Sequence, residues 1–303
     1  VHFVAILNQD GGTLKTTDLD AFCRQAKDVF EEHGHSIDCR VVSGDAVERT
    51  LRQVAVEPGI DVMIAGGGDG TISSAAGIAF EHGRTLAVLP AGTMNLFARA
   101  LKMPLDLVEA LHAIATGQIA NVDIATANGR PFVHQFGVGI HARLVRIREQ
   151  MTYGSRVGKM MASLRAIAAA AMNPPQFDAE LMTERGNERR RVSGIAVSNN
   201  PLGEGQIHAD TLDQGVLGVY VAATVTTAEL LALAVDVFAG RWRANRFVTE
   251  KEVRQVTLAF PHRKRGAMAV IDGELARLEK KVELQVHPGG LKVVRPAERN
   301  SEA

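Results

Sequence analysis

Cysteine is nearly absent from this sequence, at two residues, Cys23 and Cys39. Two thiols cannot build a disulfide framework, and no histidine pair stands at ligand spacing to complete a zinc site with them. Reduced, partly buried thiols are expected. Net charge is missing too: 34 Lys and Arg balance 34 Asp and Glu. That removes the bulk attraction on which nucleic-acid binding rests, so no nucleic-acid partner is expected. Long apolar runs are lacking. The most apolar helical stretch, Leu230 to Gly240, is interrupted by Asp236 and falls short of the ~20 residues a bilayer span needs. The opening run Phe3-Val4-Ala5-Ile6-Leu7 is too short for the apolar part of a signal peptide and has no basic flank. A soluble, cytoplasmic protein with no transmembrane segment is expected, free to touch a membrane from one side. Repeats and low-complexity segments are also absent.

What is present is ordinary globular composition, 46% apolar and 22% charged over 303 residues, a length that suits two domains. The first third alternates strand and helix. Strands are predicted at Phe3–Leu7, Ile37–Val42, Asp61–Ala65 and Leu86–Leu89. Helices are predicted at Thr17–Glu32 (capped by Thr17 and Asp20), Asp45–Val56, Ile72–His82, Asn95–Leu101 and Pro104 to Gly117. This order implies a parallel sheet covered on both faces. The pattern changes near Asn121. Val122–Ala127 and Pro131–Phe136 flank Asn128-Gly129 as a hairpin. Further strands are expected at Phe177–Met182, Val192–Ser198, Val216–Val225, Val253–Phe260, Met268–Ile271, Val282–Val286 and Leu291–Val294. Helices are expected at Lys159–Met172 and Thr227–Ala239. The second part therefore reads as mostly antiparallel β.

The chemistry concentrates in Asp61-Val-Met-Ile-Ala65-Gly66-Gly67-Gly68-Asp69-Gly70-Thr71-Ile72-Ser73. A strand enters a glycine turn and a helix leaves it. Amides at a helix start are unpaired and partly positive, and glycines let the backbone approach a phosphate. The turn is neither a Walker loop, since no Gly-Lys-Ser/Thr follows, nor a dinucleotide fingerprint, since the glycine spacing differs. Asp69 would repel bound phosphates unless magnesium lay between them; otherwise it caps the helix. A second loop, Pro90-Ala91-Gly92-Thr93-Met94-Asn95, ends the next strand at the same sheet edge. It offers the Thr93 hydroxyl and the Asn95 amide to a nucleotide.

Three segments together resemble the diacylglycerol-kinase-like lipid kinase family: Gly67-Gly-Asp-Gly-Thr71, Pro90-Ala-Gly-Thr-Met-Asn-Leu-Phe-Ala-Arg99 and Asp272-Gly273-Glu274. Asn128-Gly-Arg-Pro-Phe132, Ser198-Asn-Asn200 and Leu212-Asp-Gln-Gly-Val-Leu217 also match. The resemblance implies an α/β ATP-binding domain over 1–122, a β-sandwich lipid-substrate domain over 123–289 and a 290–303 tail packing back on the first domain. It implies ATP and Mg2+ as cofactors and a lipid at a membrane surface as acceptor. ATP contacts are expected from Asn8, Ser43, Gly66–Ser73, Gly92, Thr93 and Asn95. Asp272, Asp69 and Glu274 are the expected catalytic residues, with Asp272 where the family has its general base. Two departures stand out. The family's Asn-Pro-x-x-Gly element is here Asn8-Gln9-Asp10-Gly11-Gly12, and Gln214, next to Asp213, stands where relatives place a metal-binding Asp before Gly; Asp213 and Gln214 are the expected metal-site residues.

Local sequence alone reads Asp272-Gly273 as a hairpin turn. Basic clusters at Arg189–Arg191, at Arg241, Arg243 and Arg246 around Trp242, and at His262–Arg265 are either solvated or drawn to anionic headgroups, at about 1 kcal/mol per residue. Two other functions stay open: NAD kinase and a silent nucleotide-binding regulator. A homodimer also stays open.

Overall fold

The computed structural model describes residues 1–149 and 174–297; the helix expected over Lys159–Met172 lies outside the described residues. The chain divides into two compact units. One comprises Val1–Ile124, Thr211–Asp213 and the C-terminal segment from His287, the other Ala125–Asp210 and Gln214–Val286.

The first unit runs β1 (His2–Asn8), α1 (Leu19–Glu32), β2 (Ser36–Val42), α2 (Val47–Val56), β3 (Val62–Gly67), α3 (Asp69–His82), β4 (Thr85–Pro90), α4 (Leu96–Ala100) and α5 (Leu107–Ala115). Its strands are parallel, in the order β4-β3-β1-β2, and Lys292 and Val293 of the chain's last strand extend the β4 edge. β3 and β4 are buried along their whole length, as strands covered on both faces must be. Helix α1 turns Phe22, Ala26, Val29 and Phe30 inward and α2 turns Val47, Leu51, Val54 and Ala55 inward, each a single stripe at helical spacing. The α1 cap differs from expectation. Asp18 accepts from the Ala21 amide at 3.0 Å, while the Thr17 hydroxyl turns back to the Thr13 carbonyl at 2.9 Å. Cys23 on α1 and Cys39 on β2 are free and lie thiol to thiol. Their hydrogen bond holds the Cys23 thiol below its ordinary range and, with burial, pushes Cys39 well above it.

The chain leaves β1 toward β2 on one side and leaves β3 toward β4 on the other. The β1/β3 neighbourhood is therefore a topological switch point, and the loops after these strands open at one sheet edge.

The second unit is antiparallel. The chain passes from the first unit into it along β5 (Gln118–Ala127), runs through β6 (Arg130–Phe132), β7 (Gln135–Gly139), α6 (Ile140–Glu149), β8 (Phe177–Thr183), β9 (Gly186–Asn199), β10 (Leu217–Ala223), α7 (Thr227–Phe238), β11 (Val248–Val253), β12 (Gln255–Ala259), β13 (Met268–Ile271) and β14 (Glu274–Arg277), and returns to the first unit along β15 (Lys281–Arg295). Long strand β9 serves two sets of neighbours. Its first half pairs with β8 and its second half lies between β7 and β10. Phe132, Phe136, Leu181, Val256, Leu258 and Leu284 anchor one core.

Four expected strands are drawn differently. Val253–Phe260 is two strands, because Val253 pairs with Leu217 whereas Gln255 pairs with Gln285. Pro131–Phe136 is broken at Val133-His134, where the chain leaves its β5 partner for β13 and β9. Val282–Val286 and Leu291–Val294 are one strand. Gly289, at φ +60°, absorbs the irregularity, and its amide finds the Asp123 carboxylate at 2.9 Å.

Arg84 closes the C-terminal end of α2. Its guanidinium donates to the carbonyls of Ala55, Glu57 and Ile60 at 2.6, 3.0 and 3.0 Å. Arg84→Met leaves three carbonyls without donors and is expected to cost about 2 kcal/mol. A lower urea midpoint at unchanged slope checks this.

Candidate functional site

The glycine turn is tighter than the sequence suggests. Gly66 and Gly67 belong to β3, paired with Leu89 and Pro90, and α3 begins at Asp69 rather than Ile72. Packing forces the first two glycines. A Cβ at Gly66 would lie 2.7 Å from Leu7 Cδ2, and one at Gly67 2.6 Å from Thr71 Oγ1. Gly68 is different: its φ of −84° suits any residue, and the nearest atom to an added Cβ is Gly92 Cα at 3.7 Å. A side chain at Gly68 therefore has room among the protein atoms. Gly68 is the N-cap of α3, no side chain caps that end, and the amides of Asp69, Gly70 and Thr71 have no intrahelical acceptor. The helix is 14 residues long and brings its dipole to this point.

Loops from the neighbouring strands brace the turn. Asn8 Nδ2 donates to Thr71 Oγ1 at 3.1 Å, and Asn8 Oδ1 accepts the Asp10 amide at 3.1 Å. Asp10 in turn accepts the Gly44 amide at 2.8 Å, which fastens the end of β2. Ser43 bonds the exposed Asp45 carboxylate and holds it below the usual carboxylate range. Asp69 does what the sequence does not reveal. Its two oxygens accept the amides of Asn95 and Leu96 at 3.1 and 2.7 Å, so a residue of α3 caps α4.

Asn95 is not a free amide for a nucleotide. It is buried at φ +50°, its Oδ1 accepts the Gly92 amide at 2.8 Å and its Nδ2 donates to the Gly92 carbonyl at 3.0 Å. Gly92 is needed there, since its Cβ would come within 2.8 Å of Gly68 Cα. Thr93 is exposed, Ser73 half-buried and Ile72 buried.

Asp213 and Gln214 are exposed and fall on opposite sides of the division between the units. Among the described residues no group of three or more His, Cys, Asp or Glu forms a ready-made metal cage. Magnesium commonly takes only one or two carboxylates and keeps its other ligands from phosphate and water. Each Asp69 oxygen retains lone-pair capacity beyond its one amide, so Asp69 fits such a role.

In the second unit, Asp272 and Gly273 form the β13–β14 turn at φ +47° and +86°, a left-handed pair that favours Asp-Gly. The buried Asp272 carboxylate reaches across to the corner between β6 and β7. It accepts the amides of Val133 at 2.9 Å, His134 at 2.9 Å and Gln135 at 2.8 Å. Glu274 is exposed and pairs with Arg130 at 2.9 Å. Gln135 also lines an apolar cavity of about 300 Å³, walled by Leu144, Ile195, Leu233 and Val237, with Tyr220 and Trp242 stacked edge to face. Burial pushes the Tyr220 phenol up to about 12, and its oxygen accepts the Leu202 amide at 2.8 Å. Sequence reading missed this cavity because its walls come from many elements. Trp242, buried between arginines, is the one local sign.

A parallel sheet with a switch point, and an uncapped helix start behind a glycine turn, is the arrangement by which α/β proteins hold phosphate groups. Residues 2–127 match the diacylglycerol kinase catalytic domain, so this segment of the chain is similar to that family's catalytic domain. It is 36% identical over 122 residues to a diacylglycerol kinase of Staphylococcus saprophyticus, covering 40% of this chain and 38% of that one. It is 25% identical over 290 residues to the probable lipid kinase YegS-like of Shewanella frigidimarina, covering 93% and 91%. The chain spans 56%, 38% and 42% of the length of three of the curated relatives it matches. In fold it is similar to a crystal structure of a diacylglycerol kinase from Bacillus anthracis, with a TM-score of 0.70 at 15% identity over 97% of this chain and 96% of that one.

Two predictions test the local readings. Gly68→Val is expected to fold normally and to lose about tenfold or more in ATP affinity by calorimetry, because the branched side chain fills space that the protein leaves open. Asp272→Asn is expected to lower stability by about 1–3 kcal/mol, since an amide NH2 would face a backbone N–H. A thermal midpoint equal to wild type would overturn it.

Proposed function

We propose that the chain transfers the γ-phosphoryl group of ATP, with Mg2+, to the hydroxyl of a diacylglycerol-like lipid. The observation that carries the phosphate half is Gly68: a position with room for a side chain, kept as glycine, at an uncapped helix start. The amides of Asp69, Gly70 and Thr71 would face the phosphates, with the Asn8–Thr71 bond holding the turn in place. Magnesium would neutralise the charge that builds on the transferring oxygens, with Asp69 as its protein ligand.

The lipid half is supported by the apolar cavity, which suits acyl chains and offers little to a sugar or a nucleotide. Asp272 stands one residue's hydrogen bond from the cavity wall, through Gln135. In a loose phosphoryl-transfer transition state the alcohol proton leaves late, so an aligned carboxylate is an adequate acceptor. The names of the Staphylococcus and Shewanella relatives agree with this reading. Among the described residues no helix is long and apolar enough to cross a membrane, so the lipid would be met at a surface.

A radiolabelled ATP assay against lipid extracts and NAD tests the proposal. Label in a chloroform-soluble product, dependent on magnesium, is expected. Label in NAD alone, or in no acceptor at all, would sink it. Per folded molecule, Asp272→Asn is expected to lose about 10²–10⁴-fold in turnover with ATP affinity kept. Asp69→Asn is expected to weaken magnesium-dependent ATP binding as well. Wild-type turnover in Asp272→Asn would reduce Asp272 to a corner residue.

A further inference from the structure

Helix α7 is apolar on the face it shows to water. Leu231 is 43% exposed and Val235 61% exposed. Ala228, Ala232 and the C-cap Ala239 are exposed on the same stripe at helical spacing. The other side is also apolar: Leu230 packs with Val225, Ile140, Leu233 and Phe247. The helix carries two charged side chains, and both are engaged. Glu229 completes a capping box with Thr226, 2.8 Å from its amide, and Asp236 accepts from Asn245 Nδ2 at 2.8 Å. A helix apolar all round belongs in a core or against lipid, and this one has water on one side.

Cations stand where the helix ends. The Arg241 side chain is 69% exposed and only 3.9 Å from Asp236, and Arg246 is exposed with its guanidinium 4.7 Å above the Phe247 ring. Arg243 differs, being held by both oxygens of Glu250 at 3.0 Å, so its charge is matched. The helix is also continuous with the cavity, since Leu233 and Val237 line it from one side and Trp242 from the turn beyond.

We propose that α7, with Arg241 and Arg246, is the docking face for an anionic bilayer. The helix lies in the interface plane, Leu231 and Val235 enter the acyl boundary, and the two arginines meet lipid phosphates. Docking there sets the cavity against the bilayer, so that a lipid chain enters it without crossing water; this last step rests on the lipid-kinase reading, whereas the docking does not.

Co-sedimentation of the full chain, without ATP, with vesicles of phosphatidylglycerol and phosphatidylcholine in equal parts tests the docking. Binding is expected to fall with salt and to be weak on phosphatidylcholine alone. Leu231→Glu with Val235→Glu, both at exposed positions outside the cavity, is expected to weaken binding about tenfold or more at an unchanged thermal midpoint. Arg241→Gln with Arg246→Gln is expected to remove the preference for anionic vesicles. Wild-type binding by the double glutamate variant would overturn the proposal, as would absence of wild-type binding. A concentration-dependent dimer that Val235→Glu abolishes, without vesicle binding, would assign the face to a second copy and overturn it too. Turnover on a monodisperse short-chain lipid separates the two readings: it is expected to be equal in wild type and the double glutamate variant. Vesicle binding with no turnover would defeat the kinase reading and leave the docking face intact.

Discussion

At four sharp corners among the described residues, backbone N–H groups turn away from their neighbours and aspartates take them up. Asp69 accepts two amides of the loop before α4, Asp272 three at the β6–β7 corner, and Asp10 and Asp123 one each from Gly44 and Gly289. A buried amide left without an acceptor costs about 1–3 kcal/mol. A carboxylate has about four lone-pair positions and answers several amides from one point. The acids that the reaction would use are therefore also the acids that hold the loops. Chemistry at Asp69 or Asp272 has only the lone pairs that the amides leave.

This constraint explains why the loops of the first unit sit so close. Their packing is backbone on backbone. Gly92 passes Gly68 at a distance that excludes a Cβ, and a Cβ at Gly12 would run into the Ala91 carbonyl oxygen. The Thr13 amide bonds that same oxygen at 2.8 Å, and the Ala91 amide bonds Gly67 at 2.9 Å. Loops pinned this tightly lose little further entropy when a ligand arrives, which favours a rigid phosphate cradle over one that closes. If phosphate binds at this turn as proposed, a cation is the physical way to bring it beside the Asp69 carboxylate.

The α/β order, the parallel sheet and the glycine turn were legible in the sequence because each rests on local pattern. Apolar runs of strand length, Gly34 and Gly83 past helix ends, and Pro90 after β4 all act within a few residues. What was not legible depends on distant pairing. The break in Val253–Phe260 follows from partners at Leu217 and Gln285, and the unbroken β15 depends on Asp123 receiving the Gly289 amide. At the site, local pattern marked Gly68 and Asp69 but could not show that Asp69 caps α4 or that Asn95 spends its amide on Gly92. Both bonds join residues whose types are equally suited to a ligand. Asp272-Gly273 read correctly as a turn, yet its carboxylate acts 137 to 139 residues away in sequence.

Gln135 links the two features of the second unit. Its amide is held by Asp272, and the same residue lines the apolar cavity. The corner carboxylate therefore positions part of the cavity wall, whatever else it does. A proton acceptor and a wall support leave different kinetic marks. Loss of the acceptor slows the chemical step and leaves substrate affinity alone. A shifted wall raises the lipid KM and spares turnover at saturation. Tyr220 supplies the contrast, since it lines the same cavity from β10 and its oxygen is tied to the Leu202 amide rather than to the corner. Disturbing Tyr220 alters the wall without touching Asp272. The ratio of kcat to KM effects at these two positions thus separates what the carboxylate does to the reaction from what it does to the fold.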